Sequence, residues 1–146
     1  IRPRCGFLWV YERLSHQMNL RMAIGSLTPE NQARTLLDRS GLNDLFVKEL
    51  IVLREHVKNP KPAPDVWIEA ARRLEVEPSE LLVFEDSPRG IVGAVSVGAT
   101  CVGMPVYNRP DTVKALMDAG AKRVFVHWDE IQVSSLLGNL NLERQS

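Results

Sequence analysis

The chain has 146 residues, 45% of them apolar and 25% charged, a composition that supports one globular domain with its own core. Eighteen Lys and Arg balance eighteen Asp and Glu, so no overall field draws the chain to nucleic acid or to an anionic membrane. Cys5 and Cys101 match no metal or redox spacing and read as reduced thiols of a cytoplasmic protein, and the early apolar run "FLWVY" is too short for a signal segment or a membrane span.

From the start of the chain, Phe7, Leu8, Val10, Tyr11, Leu14 and Met18 recur at helical spacing, and "RMAIGS" then predicts a strand near residues 20–25. The next helix is expected to open with Thr28 as N-cap, Pro29 in the first helical position and Glu30 in the first turn, and to stop at Gly41. "ELIVL", residues 49–53, has the unbroken apolar character of a strand covered on both faces. Pro60, Pro62 and Pro64 stiffen the loop that follows, until Val66, Trp67, Ala70, Ala71 and Leu74 resume helical spacing. Strands are expected near 81–84, 100–104 and 123–126, each followed by a helix, with the last helix over 129–138. Residues 139–146 carry no periodic pattern and are expected to be loosely held.

Strands alternating with helices imply right-handed crossovers, hence an α/β fold with a doubly wound parallel sheet and helices on both faces. Ligands bind such sheets outside the carboxyl ends of the strands. The residues to examine are therefore those at which strands stop, together with the proline-rich loop.

Four of them carry useful chemistry. Ser26 closes a strand just before a helix opens, where a hydroxyl and backbone N–H groups can hold a phosphate oxygen or simply make a turn. Lys61 sits in the stiff "NPKPAPD" loop, either as a solvated charge or as a fixed ammonium that neutralises phosphate. Glu85 and Asp86 end a strand before Ser87 and Pro88. They either complement a helix dipole, with Ser87 as its cap, or offer hard oxygens to a divalent cation such as Mg²⁺. His16, His56 and His127 show no ligand spacing, Trp67 belongs to an apolar helix face, and Gly90 and Gly93 suit close helix–sheet packing rather than a nucleotide-binding loop. Arg89, just after Pro88, either reaches a phosphate or lies on the first turn of its helix, the second being the preferred reading.

These three stretches, in chain order, resemble motifs of the haloacid dehalogenase superfamily, in the branch of β-phosphoglucomutase-like, phosphoglycolate phosphatase-like and pseudouridine-phosphatase-like members. "RMAIGS" resembles the second motif, "NPKPAPDVW" the third and "VFEDSPRGIVGAVSVGA" the fourth. The resemblance implies that Ser26 and Lys61 bind phosphate, with Lys61 also catalytic, and that Glu85 and Asp86 hold Mg²⁺. It implies a small phosphorylated metabolite as the partner of the complete enzyme. The chain departs from the family pattern in one respect: Asp-x-Asp, which supplies the nucleophile, occurs nowhere in it.

Residues 1–138 are therefore expected to be an incomplete core, the later part of a Mg²⁺-dependent phosphatase that hydrolyses a phosphate monoester through an aspartyl-phosphate. Alone, the chain is expected to be inactive and to bind Mg²⁺ weakly. A sugar phosphomutase is one alternative, and a non-catalytic interaction or regulatory module is another. The resemblance also places the absent nucleophile strand between "RMAIGS" and "LLVF". Two strand edges would then lie unpaired and favour self-association. Lys61, taken as a loop charge, is expected to contribute little to stability.

Overall fold

The computed structural model describes residues 2–140. Helix α1, Phe7–Glu12, continues as a wider π turn through Arg13–Gln17 and covers the expected first helix. Strand β1, Ile24–Gly25, leads to α2, Glu30–Ser40, which stops at Gly41 with φ 78°, a left-handed geometry that glycine adopts without strain. Strand β2, Ile51–Val52, precedes the proline-rich loop and α3, Asp65–Leu74, whose buried face carries the five residues the spacing singled out. Then follow β3, Leu82–Glu85; α4, Pro88–Ser96; β4, Thr100–Gly103; α5, Pro110–Ala119; β5, Arg123–Val124; and α6, Val133–Asn139.

Three local expectations are corrected. The N-cap of α2 is Pro29 rather than Thr28. Thr28 is turned back on Ser26, whose Oγ accepts its N–H at 3.2 Å and donates to its hydroxyl at 3.1 Å. The carboxylate of Glu55 instead takes the N–H of Glu30, at 2.9 and 3.1 Å. Ser87 does occupy the N-cap of α4, but its side chain makes no capping bond. The last helix begins at Val133 rather than near Asp129, after a short 3₁₀ turn over Trp128–Glu130. The tail expected to be loosely held falls largely on residues 141–146, outside the described residues.

All strand pairs are parallel, and they fall into two groups: β1 with β2, and β3–β4–β5 in that order. Strands β1 and β3 share no ladder. β1, β2 and β5 are two residues long, shorter than their apolar runs, because a strand extends only as far as a neighbour pairs with it.

Both faces are covered. Val83 and Cys101 point into a core with Trp67, Ala71, Ile91 and Leu116 of α3, α4 and α5. Val102, one residue on, turns the other way to join Met104, Val10, Leu14 and α6, with Leu82 and Phe84 against them. That alternation is the period of two of a strand packed on both sides. A third cluster, Ala33, Leu37, Phe46, Ile51 and Leu53, holds α2 against β2.

Candidate active site

Strand β3 ends on Glu85, 7% exposed, and the proline-rich loop brings Lys61, 15% exposed, against it with Nζ 2.7 Å from Oε2. The second carboxylate oxygen, Oε1, accepts the N–H of Asp86 at 3.1 Å and of Ser87 at 3.2 Å. The carboxylate thus accepts three hydrogen bonds, one from a cation, which is how a buried carboxylate survives the loss of water.

Three further residues hold this pair in place. The Trp67 ring lies under the Lys61 ammonium, 4.8 Å from Nζ to its centroid, and Trp67 Nε1 donates to the Gly90 carbonyl at 3.0 Å. Arg89 Nη2 donates to the Lys61 carbonyl at 2.8 Å and ties the loop to the first turn of α4. Gly90 has to lack a side chain, because a Cβ there would run into the Glu85 carboxylate.

Burial pushes Glu85 above the usual carboxylate range; the Lys61 ammonium acts against that shift, while the neighbouring Asp86 carboxylate adds to it. The same burial, with Glu85 close by, raises the Cys101 thiol to about 12, so Cys101 is a core residue and not a nucleophile.

A cleft of about 310 Å³ opens at this carboxyl edge, and Ser26, Lys61, Glu85 and Asp86 all line it, together with Arg4 and Trp128. Ser26 is anchored by its N–H to the Val52 carbonyl at 2.9 Å. The side chain of Asp86 is exposed and forms no salt bridge among the described residues. His16 pairs with Glu12, and His56 Nδ1 accepts the Leu53 N–H, so neither faces the cleft as a ligand. Among the described residues no three His, Cys, Asp or Glu gather closely enough to enclose a metal.

Sequence reading missed the roles of three residues. Trp67 was legible as core but not as the ring beneath Lys61. Arg89 was legible as a phosphate contact or a first-turn helix residue, but not as the tie to the Lys61 carbonyl. Arg4 belongs to no periodic segment, and nothing in its neighbours marks it.

The family pattern described as haloacid dehalogenase-like hydrolase matches residues 1–104. The chain belongs to the haloacid dehalogenase-like hydrolase family. Its relatives in this family include a phosphorylated carbohydrates phosphatase of Thermotoga maritima, 35% identical over 102 residues, covering 70% of this chain and 46% of that protein. Another is a fructose-1-phosphate phosphatase of Escherichia coli, 38% identical over 81 residues, covering 56% of this chain and 42% of the relative. The chain thus spans about half the length of the curated relatives it matches. The fold is that of a haloacid dehalogenase hydrolase of Entamoeba histolytica, with a TM-score of 0.84 at 23% identity over 94% of this chain and 60% of the other. No helix among the described residues is long and apolar enough to cross a membrane.

Proposed function

We propose that this chain forms the phosphate- and metal-binding half of the active site of a Mg²⁺-dependent phosphatase that acts on a small phosphorylated metabolite. The observation that carries the reading is the buried Lys61–Glu85 pair, which opens on the same cleft as Ser26 and Asp86. Phosphatase relatives in the family support it. In this reading Ser26 donates to a phosphate oxygen, and the Lys61 ammonium, fixed by Glu85, Trp67 and the proline loop, stabilises the charge that grows on the transferring phosphoryl group.

The donor set fits part of a Mg²⁺ shell. Asp86 offers an exposed carboxylate beside that of Glu85, whose own oxygens are committed to Lys61 and two N–H groups, so Asp86 is the principal ligand and Glu85 the weaker one. Bound there, Mg²⁺ would neutralise phosphate oxygens. With so few protein ligands the isolated chain should bind it weakly, and calorimetry that finds tight Mg²⁺ binding surviving Asp86→Ala would contradict the assignment.

The aspartyl nucleophile of the family must come from outside the 146 residues, so activity is assigned to a longer protein that contains Asp-x-Asp, with residues 1–138 as part of its core. The test is phosphate release from sugar phosphates, phosphoglycolate and nucleotides by such a protein. Turnover of none of them would overturn the reading. A second reading, a non-catalytic module, is favoured by the missing Asp-x-Asp, and the upstream coding sequence discriminates: an in-frame Asp-x-Asp strand supports the enzyme. The reduced thiols of Cys5 and Cys101 suit a cytoplasmic setting, which localisation of the tagged protein would test.

A further inference from the structure

We infer that Arg4 is a further substrate-binding residue of the cleft, a cation that takes an anionic oxygen of the phosphorylated substrate alongside Lys61. The inference rests on the phosphatase reading above and adds to it a residue outside the three sequence motifs.

Arg4 lines the cleft together with Ser26, Lys61, Glu85 and Asp86. Its guanidinium is held by three backbone carbonyls: Nη1 donates to Met104 at 2.9 Å, and Nη2 donates to Pro105 at 3.0 Å and to Val126 at 2.6 Å. Those carbonyls lie just past the ends of β4 and β5, so the side chain is fixed to the carboxyl edge of the sheet. Gly6, two residues on, adopts φ 82° and presses against the backbone of Trp128 and Asp129, which pins the segment that carries Arg4.

Carbonyl dipoles orient a guanidinium but do not cancel its charge. Among the described residues no carboxylate pairs with Arg4, whereas the Lys61 ammonium is matched by Glu85 at 2.7 Å. Arg4 is thus the cleft cation whose charge is left over. A guanidinium has five N–H donors. Three are used here, and the N–H on Nε and one on Nη1 remain for an anion. Because the side chain is already ordered, binding an oxygen there costs little further freedom.

The competing role is purely mechanical, with Arg4 clasping the first residues to the strand ends. The two roles separate by charge. Gln keeps N–H donors for the carbonyls and loses the charge; Lys keeps the charge and loses the planar fork.

The experiment is titration of the 146-residue chain with orthophosphate, followed by calorimetry and by the arginine Nε–H resonances in NMR, with thermal unfolding of each variant alongside. Binding should shift the Arg4 Nε–H resonance. Arg4→Gln should weaken phosphate about tenfold, the loss expected for one charge-assisted hydrogen bond, and Arg4→Lys should recover most of it. Equal phosphate affinity in wild type and Arg4→Gln overturns the role of Arg4 and leaves the phosphatase reading standing. Equal weakening in Gln and Lys, in step with lost thermal stability, also overturns it, in favour of the clasp. If Arg4→Gln does not fold, an Arg4 resonance unmoved at phosphate saturation of the wild type decides against the proposal. Failure of the wild-type chain to bind phosphate overturns the role of Arg4, whereas the phosphatase reading falls only with the turnover test on the longer protein.

Discussion

Lys61 and Glu85 are 24 residues apart in sequence and meet with 2.7 Å between Nζ and Oε2, both largely withdrawn from water. The pair is therefore structural as well as chemical, and the expectation that Lys61 contributes little to stability is revised. Lys61→Ala strands a buried carboxylate and should cost about 3 kcal/mol in urea unfolding. Glu85→Gln in the same chain should recover much of that loss, since no lone charge then remains. A Lys61→Ala protein as stable as wild type would return the lysine to the solvent.

Gly90 should tolerate no side chain. In Gly90→Ala the new Cβ meets the Glu85 carboxylate, the rigid end of β3, so Glu85 must rotate away from Lys61 or α4 must lift. The cost should be about 2 kcal/mol, more than the helix propensity that Ala contributes. Chemical denaturation measures it, and a stabilised Gly90→Ala would show that the helix is not seated on the carboxylate.

Glu69, on α3, is gripped by Arg72 and Arg73, with Arg72 Nε at 2.9 Å and Arg73 Nε at 2.9 Å. The hydrogen bond from Arg72 is the main cause, opposed by burial and assisted by Arg73, and the carboxyl is lowered from 4.5 to about 2. A lowered carboxyl stabilises the folded state above its unfolded value and loses that contribution as pH falls through the folded one. Wild type should therefore exceed Glu69→Gln in stability at pH 7, with the gap closing between pH 4.5 and about 2. A gap independent of pH in urea titrations would remove the ion pair as its source.

The edges of β1 and β3 carry no ladder between them, and Ile24, Leu82 and Phe84 beside them are only half-buried. Unpaired parallel edges with apolar flanks recruit strands from other chains. Size-exclusion chromatography with light scattering should show concentration-dependent association of the isolated chain. A monodisperse monomer that unfolds cooperatively at high urea would refute this.

Reading the linear chain reached far into the fold because periodicity is local: five strand runs and their intervening helices follow from spacing, Pro and Gly, and so does the carboxyl edge at which Ser26, Lys61, Glu85 and Asp86 stand. What depends on distant partners was not legible. Thr28 lost the N-cap position because Ser26 engages it while Glu55 reaches across from another loop. Strand lengths were set by which neighbours pair. The burial of Lys61, the Trp67 ring beneath it and the three carbonyls around Arg4 arise only when segments up to 122 residues apart are packed together. Spacing along a chain records which face a residue can share with its near neighbours. Only tertiary packing decides which charges leave water and which partners they meet.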